Sequence, residues 1–105
     1  MVAVNLRYKG ANARAFAEEM TVYGTVDVIR AEAGNLRYEY YQSLDDPETI
    51  LLIDSWTNQA AIDAHHVSSM MATVAELREK YDPHMTVERF VSIEDNAGDE
   101  RFVRK

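Results

Sequence analysis

The 105-residue chain has no cysteine, and it holds only two prolines, four glycines and one tryptophan. Without cysteine there is no disulfide framework, no thiolate zinc site and no cysteine nucleophile. The chain suits a reducing compartment, so a cytoplasmic setting is expected. Basic residues are outnumbered: eleven Lys and Arg against eighteen Asp and Glu leave a formal net charge of −7. A surface of that sign repels phosphate backbones and anionic bilayers, so no nucleic acid and no membrane is expected as a partner. A small neutral or aromatic molecule is easier to accommodate. Long apolar runs are missing as well. None approaches the ~20 residues that cross a bilayer, and the opening "MVAVNLRYKG" lacks the basic segment and apolar core of an export signal.

What is present has the balance of a folded protein, since 47% of residues are hydrophobic and 28% charged, and the length suits one core rather than two. Along "MVAVNLRYK" Val2, Val4, Leu6 and Tyr8 alternate with Ala3, Asn5 and Arg7, the period of a half-buried strand. Asn12 then begins a helix with Phe16, Met20 and Tyr23 as its apolar stripe. One helix is expected to run on to Gly34, a residue suited to a left-handed C-terminal cap, although β-branched residues and Gly24 oppose helix across "TVYGTVDVI". "LRYEYY" and "ILLIDSW" read as a hairpin around Pro47. "NQAAIDAHH" and "SSMMATVAELREKY" read as two helical pieces capped by Asn58 and by Ser68 or Ser69, with Pro83 ending the second. "MTVERFVSI" is the last strand. Residues 1–95 are expected to form the domain and 96–105 a charged tail.

The order β-α-β-β-α-β packs as helices on one face of a four-stranded antiparallel sheet. The other face cannot be wholly polar. "ILLI" puts apolar residues on both sides of one strand, and "LRYEYY" puts tyrosines on both sides of another. A second copy of the sheet packed face to face would cover them, so a homodimer is expected. The tail, with Phe102 and Val103 between Arg101 and Arg104, is expected to reach the partner subunit or to remain a free terminus.

One run carries a resemblance. Residues 30–69 contain Glu32-x-Gly34-x-x-x-Tyr38, the turn Asp46-Pro47, a strand ending in Trp56, and the helix "AIDAH" ending at His65. This ordered set resembles the antibiotic biosynthesis monooxygenase domain family, and the length and element order extend the likeness over nearly the whole chain. The resemblance implies an α+β, ferredoxin-like β-α-β-β-α-β fold assembled as a dimeric α+β barrel. For several members it implies cofactor-independent oxidation of quinols or polycyclic phenols by molecular oxygen. Related domains degrade haem or isomerise small phosphorylated sugars, so the fold alone does not choose the reaction.

The site residues carry two readings each. His65 is either a helix histidine bonded to a backbone carbonyl or, at its family-matching position, the base that takes a phenolic proton. Trp56 is either core or a flat wall for an aromatic ring, and the roles are compatible. Tyr38 and Tyr40 share a strand face and could add ring surface and a hydroxyl. Asn5 and Arg7, which point together from the first strand, are either cross-strand contacts or a group orienting a quinol oxygen. His66 matches no motif. The two histidines are adjacent, about 100° apart around a helix, which is not a metal-binding spacing. The second histidine that many relatives carry a few residues later is replaced here by Ser68-Ser69-Met70-Met71. Haem chemistry fits poorly: Asn5 matches its strand asparagine, but the tryptophan position falls at His65 and the axial position near Ala75, which leaves iron without its ligand. The leading reading is therefore a cofactor-independent monooxygenase of a small aromatic quinol or phenol. The alternatives are a non-catalytic binding module for a hydrophobic metabolite and a proton-transfer isomerase.

Overall fold

The computed structural model describes residues 1–93 and 97–104. In chain order the elements are β1 (Val2–Lys9), α1 (Ala13–Val22), α2 (Thr25–Arg30), β2 (Asn35–Gln42), β3 (Thr49–Trp56), α3 (Gln59–His66), α4 (Met71–Tyr81) and β4 (His84–Val91), followed by a 3-10 turn at Ala97–Phe102. The four strands form one sheet in the order β2-β3-β1-β4. All three pairings are antiparallel. The alternation of β1 survives intact: Leu6 and Tyr8 are buried beneath the helices while Arg7, on the other face, is exposed.

The helices lie on one face and meet the sheet through a single core. Phe16 and Met20 of α1, Ile29 of α2, Leu52 and Trp56 of β3 and Ile62 of α3 are all essentially inaccessible to solvent. Burying one such side chain contributes about 1.5–3 kcal/mol, so this layer dominates stability. The hairpin turn is held by Asp46, whose carboxylate accepts from Glu48 N at 3.0 Å and Thr49 Oγ1 at 2.8 Å.

Several sequence expectations are corrected. The single helix from Asn12 to Gly34 is two, because Gly24 takes a left-handed φ of 79° between α1 and α2. The chain turns there, so Tyr23 leaves the apolar stripe and is exposed. Asn12 sits at the N-cap of α1 without a side-chain cap bond. Gly34 is left-handed, φ 86°, but α2 has already ended at Ala31, so Gly34 shapes the turn into β2 instead. Asn58 does cap α3 as expected, through a bond from Ala61 N at 2.9 Å. Neither Ser68 nor Ser69 caps α4, which starts behind Met70; Ser68 Oγ donates to His65 O at 2.7 Å. The last strand ends at Val91, two residues before Ile93. The expected boundary at 95/96 falls on residues outside those described. Phe102 and Val103 are exposed, and the Arg101 guanidinium lies 5.2 Å from the Phe102 ring centre.

Candidate active site

Period-two geometry puts Tyr38, Asp54, Val4 and Arg89 in one row across the helix-covered face: Val4 pairs with Asp54 on one side and Arg89 on the other, and Asp54 pairs with Tyr38. Above this row α3 and α4 leave a pocket of about 200 Å³. Its apolar floor and roof include Leu6, Ile62, Val74 and Val87, and its polar groups are Tyr38, Asp54, His65, His66, Arg78 and Arg89.

His65 is buried at the C-terminal end of α3. Its Nδ1 lies 2.8 Å from Glu32 Oε2. An ionised Glu32 only accepts, so Nδ1 carries the hydrogen and the Nε2 lone pair is left as the basic site. Ser68 Oγ lies 3.4 Å from the other Glu32 oxygen. Glu32 reaches the helix because of Gly34. A Cβ built on Gly34 would stand 2.6 Å from Ala61 Cβ and 2.8 Å from Thr57 Oγ1, so the β2 entry and α3 approach this closely only with glycine. The spacing Glu32-x-Gly34 thus has a physical reading: the glycine admits the helix and the glutamate fixes its histidine.

Trp56 stands behind His65, ring centres 4.8 Å apart, and is fully buried. Its Nε1 donates to Asp54 Oδ1 at 2.6 Å. Asp54 is buried, with Val4 as its strand partner on one side and Tyr38 on the other. Desolvation pushes its carboxyl up to about 6, opposed by the Trp56 hydrogen bond and by His65. Asp54 therefore holds its proton to a higher pH than an ordinary aspartate. Burial also raises the hydroxyls of Tyr38 and Tyr40 well above the ordinary tyrosine range, so both remain protonated.

The structure brings together only part of the expected site. His65 and Tyr38 line the pocket, with Trp56 stacked behind the histidine. Tyr40 lies on the same face but away from that pocket; it packs with Tyr8 and Phe16 at ring distances of 6.5 and 6.4 Å and lines a separate open groove of about 330 Å³ along α1. Asn5 and Arg7 are on the opposite face of the sheet, where Arg7 borders a shallow depression with Tyr41 and Leu51. They are not part of the His65 pocket. His66 is exposed yet contributes to the pocket rim, its ring 5.5 Å from His65.

Asp54 and Arg78 were missed. An acid inside "ILLIDSW", two residues before the tryptophan and so on the same face, is a buried-charge signal. Arg78, four residues after Val74, shares the apolar face of α4. Among the described residues no group of three or more His, Asp or Glu is placed to hold a metal ion, and no helix is long and apolar enough to cross a membrane.

Helices confined to one face and the β2-β3-β1-β4 order define a ferredoxin-like α+β domain. The chain belongs to the antibiotic biosynthesis monooxygenase family, whose model matches residues 1–77. Among solved structures it is similar to a candidate antibiotic biosynthesis monooxygenase from Deinococcus radiodurans, with TM-score 0.77 and 18% identity over 91% of this chain and 96% of that one. A candidate family member from Nitrosomonas europaea gives 0.76 and 18% over 90% and 100%. SnoaB, a cofactor-independent oxygenase from Streptomyces nogalater, gives 0.75 and 14% over 91% and 96%. At these identities the likeness establishes the fold. No curated protein matches the chain.

Proposed function

We propose that this protein is a cofactor-independent monooxygenase that oxidises a small aromatic quinol or phenol with molecular oxygen in the pocket beneath α3 and α4. The observation that carries this reading is the His65–Glu32 pair, 2.8 Å apart, at the edge of a mostly apolar pocket. Family membership and the likeness to SnoaB support it.

The substrate supplies all the electrons. For a quinol, a ring C–H and O₂ give a hydroxyquinone and water, with one oxygen atom in each product. His65 Nε2 takes the phenolic proton, and the phenolate is a far better electron donor to oxygen than the phenol. Glu32 accepts the hydrogen bond from Nδ1 and stabilises the imidazolium that forms. Trp56 holds the other side of the ring, while the buried Ile62 and Val74 exclude water from the reduced oxygen species. Tyr38 presents a protonated hydroxyl to a ring oxygen. At about 200 Å³ the pocket is below the ~300–1,000 Å³ of drug-sized sites, which favours one or two rings.

The active form in this reading is a homodimer. The open sheet face carries Leu51 and Ile53 half-buried and Tyr41 and Phe90 exposed, an apolar band that a second copy would cover.

Oxygen uptake with a panel of benzo- and naphthoquinols tests the reaction. The expected result is acceleration over spontaneous oxidation, lowered on the order of 10²–10⁴-fold in His65→Ala. No acceleration with any quinol would overturn the oxidation reading, and tight binding without turnover would make the domain a binding module.

A further inference from the structure

The chain as a whole carries a net charge of −7. Its pocket does not share that sign. Arg78 and Arg89 both line it, and Asp54 is the only carboxylate in its lining. Neither guanidinium forms a salt bridge among the described residues. Arg78 Nη2 donates to the neutral Tyr8 hydroxyl at 3.1 Å, and Arg78 Nε is buried with no hydrogen-bond partner among the described residues. Arg89 Nη2 donates to the neutral amide oxygen of Gln59. Two cations hydrogen-bonded only to neutral groups among the described residues, one of them with a buried N–H left over and only a through-space attraction to Asp54, form an unusual lining for a site that would bind a neutral ring.

We infer that the ligand of this pocket is an aromatic acid: its ring lies on the apolar strip beside Val4, and its carboxylate is held by Arg78 and Arg89. The inference rests on the reading that the pocket takes a small aromatic molecule, and it goes further by fixing a substituent. The row Tyr38, Asp54, Val4, Arg89 spans the sheet, with strands ~4.8 Å apart. It gives the pocket a phenol-recognising end at Tyr38 and His65 and an anion-recognising end at Arg89. Arg78 comes down from α4 onto the same space. The planar fork of arginine matches a carboxylate with two parallel hydrogen bonds, and in a partly desolvated pocket such bonds are the strong ones. The two guanidinium groups are also felt by His66: burial is the main cause that lowers its pKa, His65, Arg78 and Arg89 act in the same direction, and Asp63 opposes them. The acidic surface does not contradict this, because screening confines its repulsion to about a Debye length, while the two guanidinium groups act at contact.

The test is binding, without turnover, of two ligands that differ by one group. 1-Hydroxy-2-naphthoate and 1-naphthol are titrated anaerobically into the full chain and followed by their own fluorescence. The naphthoate is expected to bind at least about tenfold more tightly. Arg89→Gln, on an exposed strand, should remove most of that preference while leaving naphthol affinity in place; Arg78→Gln should do the same. If circular dichroism shows that Arg78→Gln does not fold, Arg89→Gln decides. Equal affinity for the two ligands, binding of neither, or an equal loss for both in Arg89→Gln overturns the inference. Oxygen uptake separates the two readings. Quinol oxidation with no advantage for carboxylated quinols overturns the aromatic-acid inference and leaves the monooxygenase standing. Preferential naphthoate binding with no oxygen consumption supports the inference and removes the monooxygenase.

Discussion

The two faces of the sheet use the same strands for opposite purposes. On the covered face Leu52, Trp56 and Tyr8 are packed away from solvent, and the polar groups among them are paired at short range: Asp54 with Trp56, Glu32 with His65. On the open face Ile53 and Leu51 remain half-buried and Phe90 half-exposed, while Asn5 Oδ1 is buried without a partner among the described residues. A side chain that moves one position along a strand therefore moves from a charged, desolvated pocket to an open, partly apolar surface. The ionisable groups gathered under the helices are costly there, because burial opposes their charge. Costly groups placed at a pocket belong to chemistry more often than to stability.

The largest test of this contrast is Trp56→Ala. It deletes the largest fully buried side chain and leaves Asp54 without its donor, so a loss of about 3–5 kcal/mol is expected in urea or thermal unfolding. A cost near zero would mean that the covered face is not the core. Asp54→Asn comes next and has the opposite sign. A carboxyl pushed from 3.8 to about 6 keeps its proton longer in the folded state. Below about pH 4 both states are protonated and the shift has no effect. Between about pH 4 and 6 the unfolded chain ionises first and stability falls. Above this window the loss is complete, about 3 kcal/mol at ~1.4 kcal/mol per pH unit. Asp54→Asn keeps an acceptor for Trp56 and removes that loss, so its advantage over the wild type should grow by up to about 3 kcal/mol between pH 4 and pH 8. Denaturation curves at the two pH values measure it, and a pH-independent difference would place the ionisation elsewhere.

Gly34→Ala should cost about 1–3 kcal/mol, since its Cβ collides with Ala61 and its φ is left-handed. Turnover should fall with it as Glu32 is displaced from His65. A stable, active Gly34→Ala would show that the close approach of α3 is dispensable. On the open face, Ile53→Lys should leave the fold intact and weaken the proposed dimer by at least about tenfold, or ~1.4 kcal/mol. Light scattering over a dilution series reads this. An unchanged dimer, or a wild type that is a 12.0 kDa monomer at micromolar concentration, breaks the face-to-face reading. The smallest effect belongs to the tail: deleting residues 96–105 should raise the dimer dissociation constant measurably, by well under the effect of Ile53→Lys, because the exposed Phe102 and Val103 offer only two apolar side chains to a partner. An unchanged constant would make the tail a free terminus.

The strands were legible because their signal is local. Period-two alternation in "MVAVNLRYK" is enough to assign Leu6 and Tyr8 to one face and Arg7 to the other. The helices were less so. The stripe Phe16–Met20 was readable, but whether a helix passes through Gly24 depends on whether the core rewards continuing, and here it rewards a turn that lets Ile29 reach the sheet. Of the site, His65 and Tyr38 could be selected by motif, whereas the grouping of Asn5 and Arg7 with them failed. Sequence shows that two residues share a strand face without showing which face the helices will cover.

By itself, then, the sequence determined the strands and their order, the hairpin, the alternation of the first strand and the membership of a family, since all of these rest on residue types at short and regular spacing. Only the tertiary structure decided which groups meet. Glu32 and His65 are 33 positions apart, and Tyr8 and Arg78 are 70 apart. Their contacts exist because the β2-β3-β1-β4 order folds distant segments over one face. The ionisation of Asp54 is decided there too, because it follows from burial under the helices and from His65, Glu32 and Arg78, all distant in the chain, as well as from Trp56 two positions away.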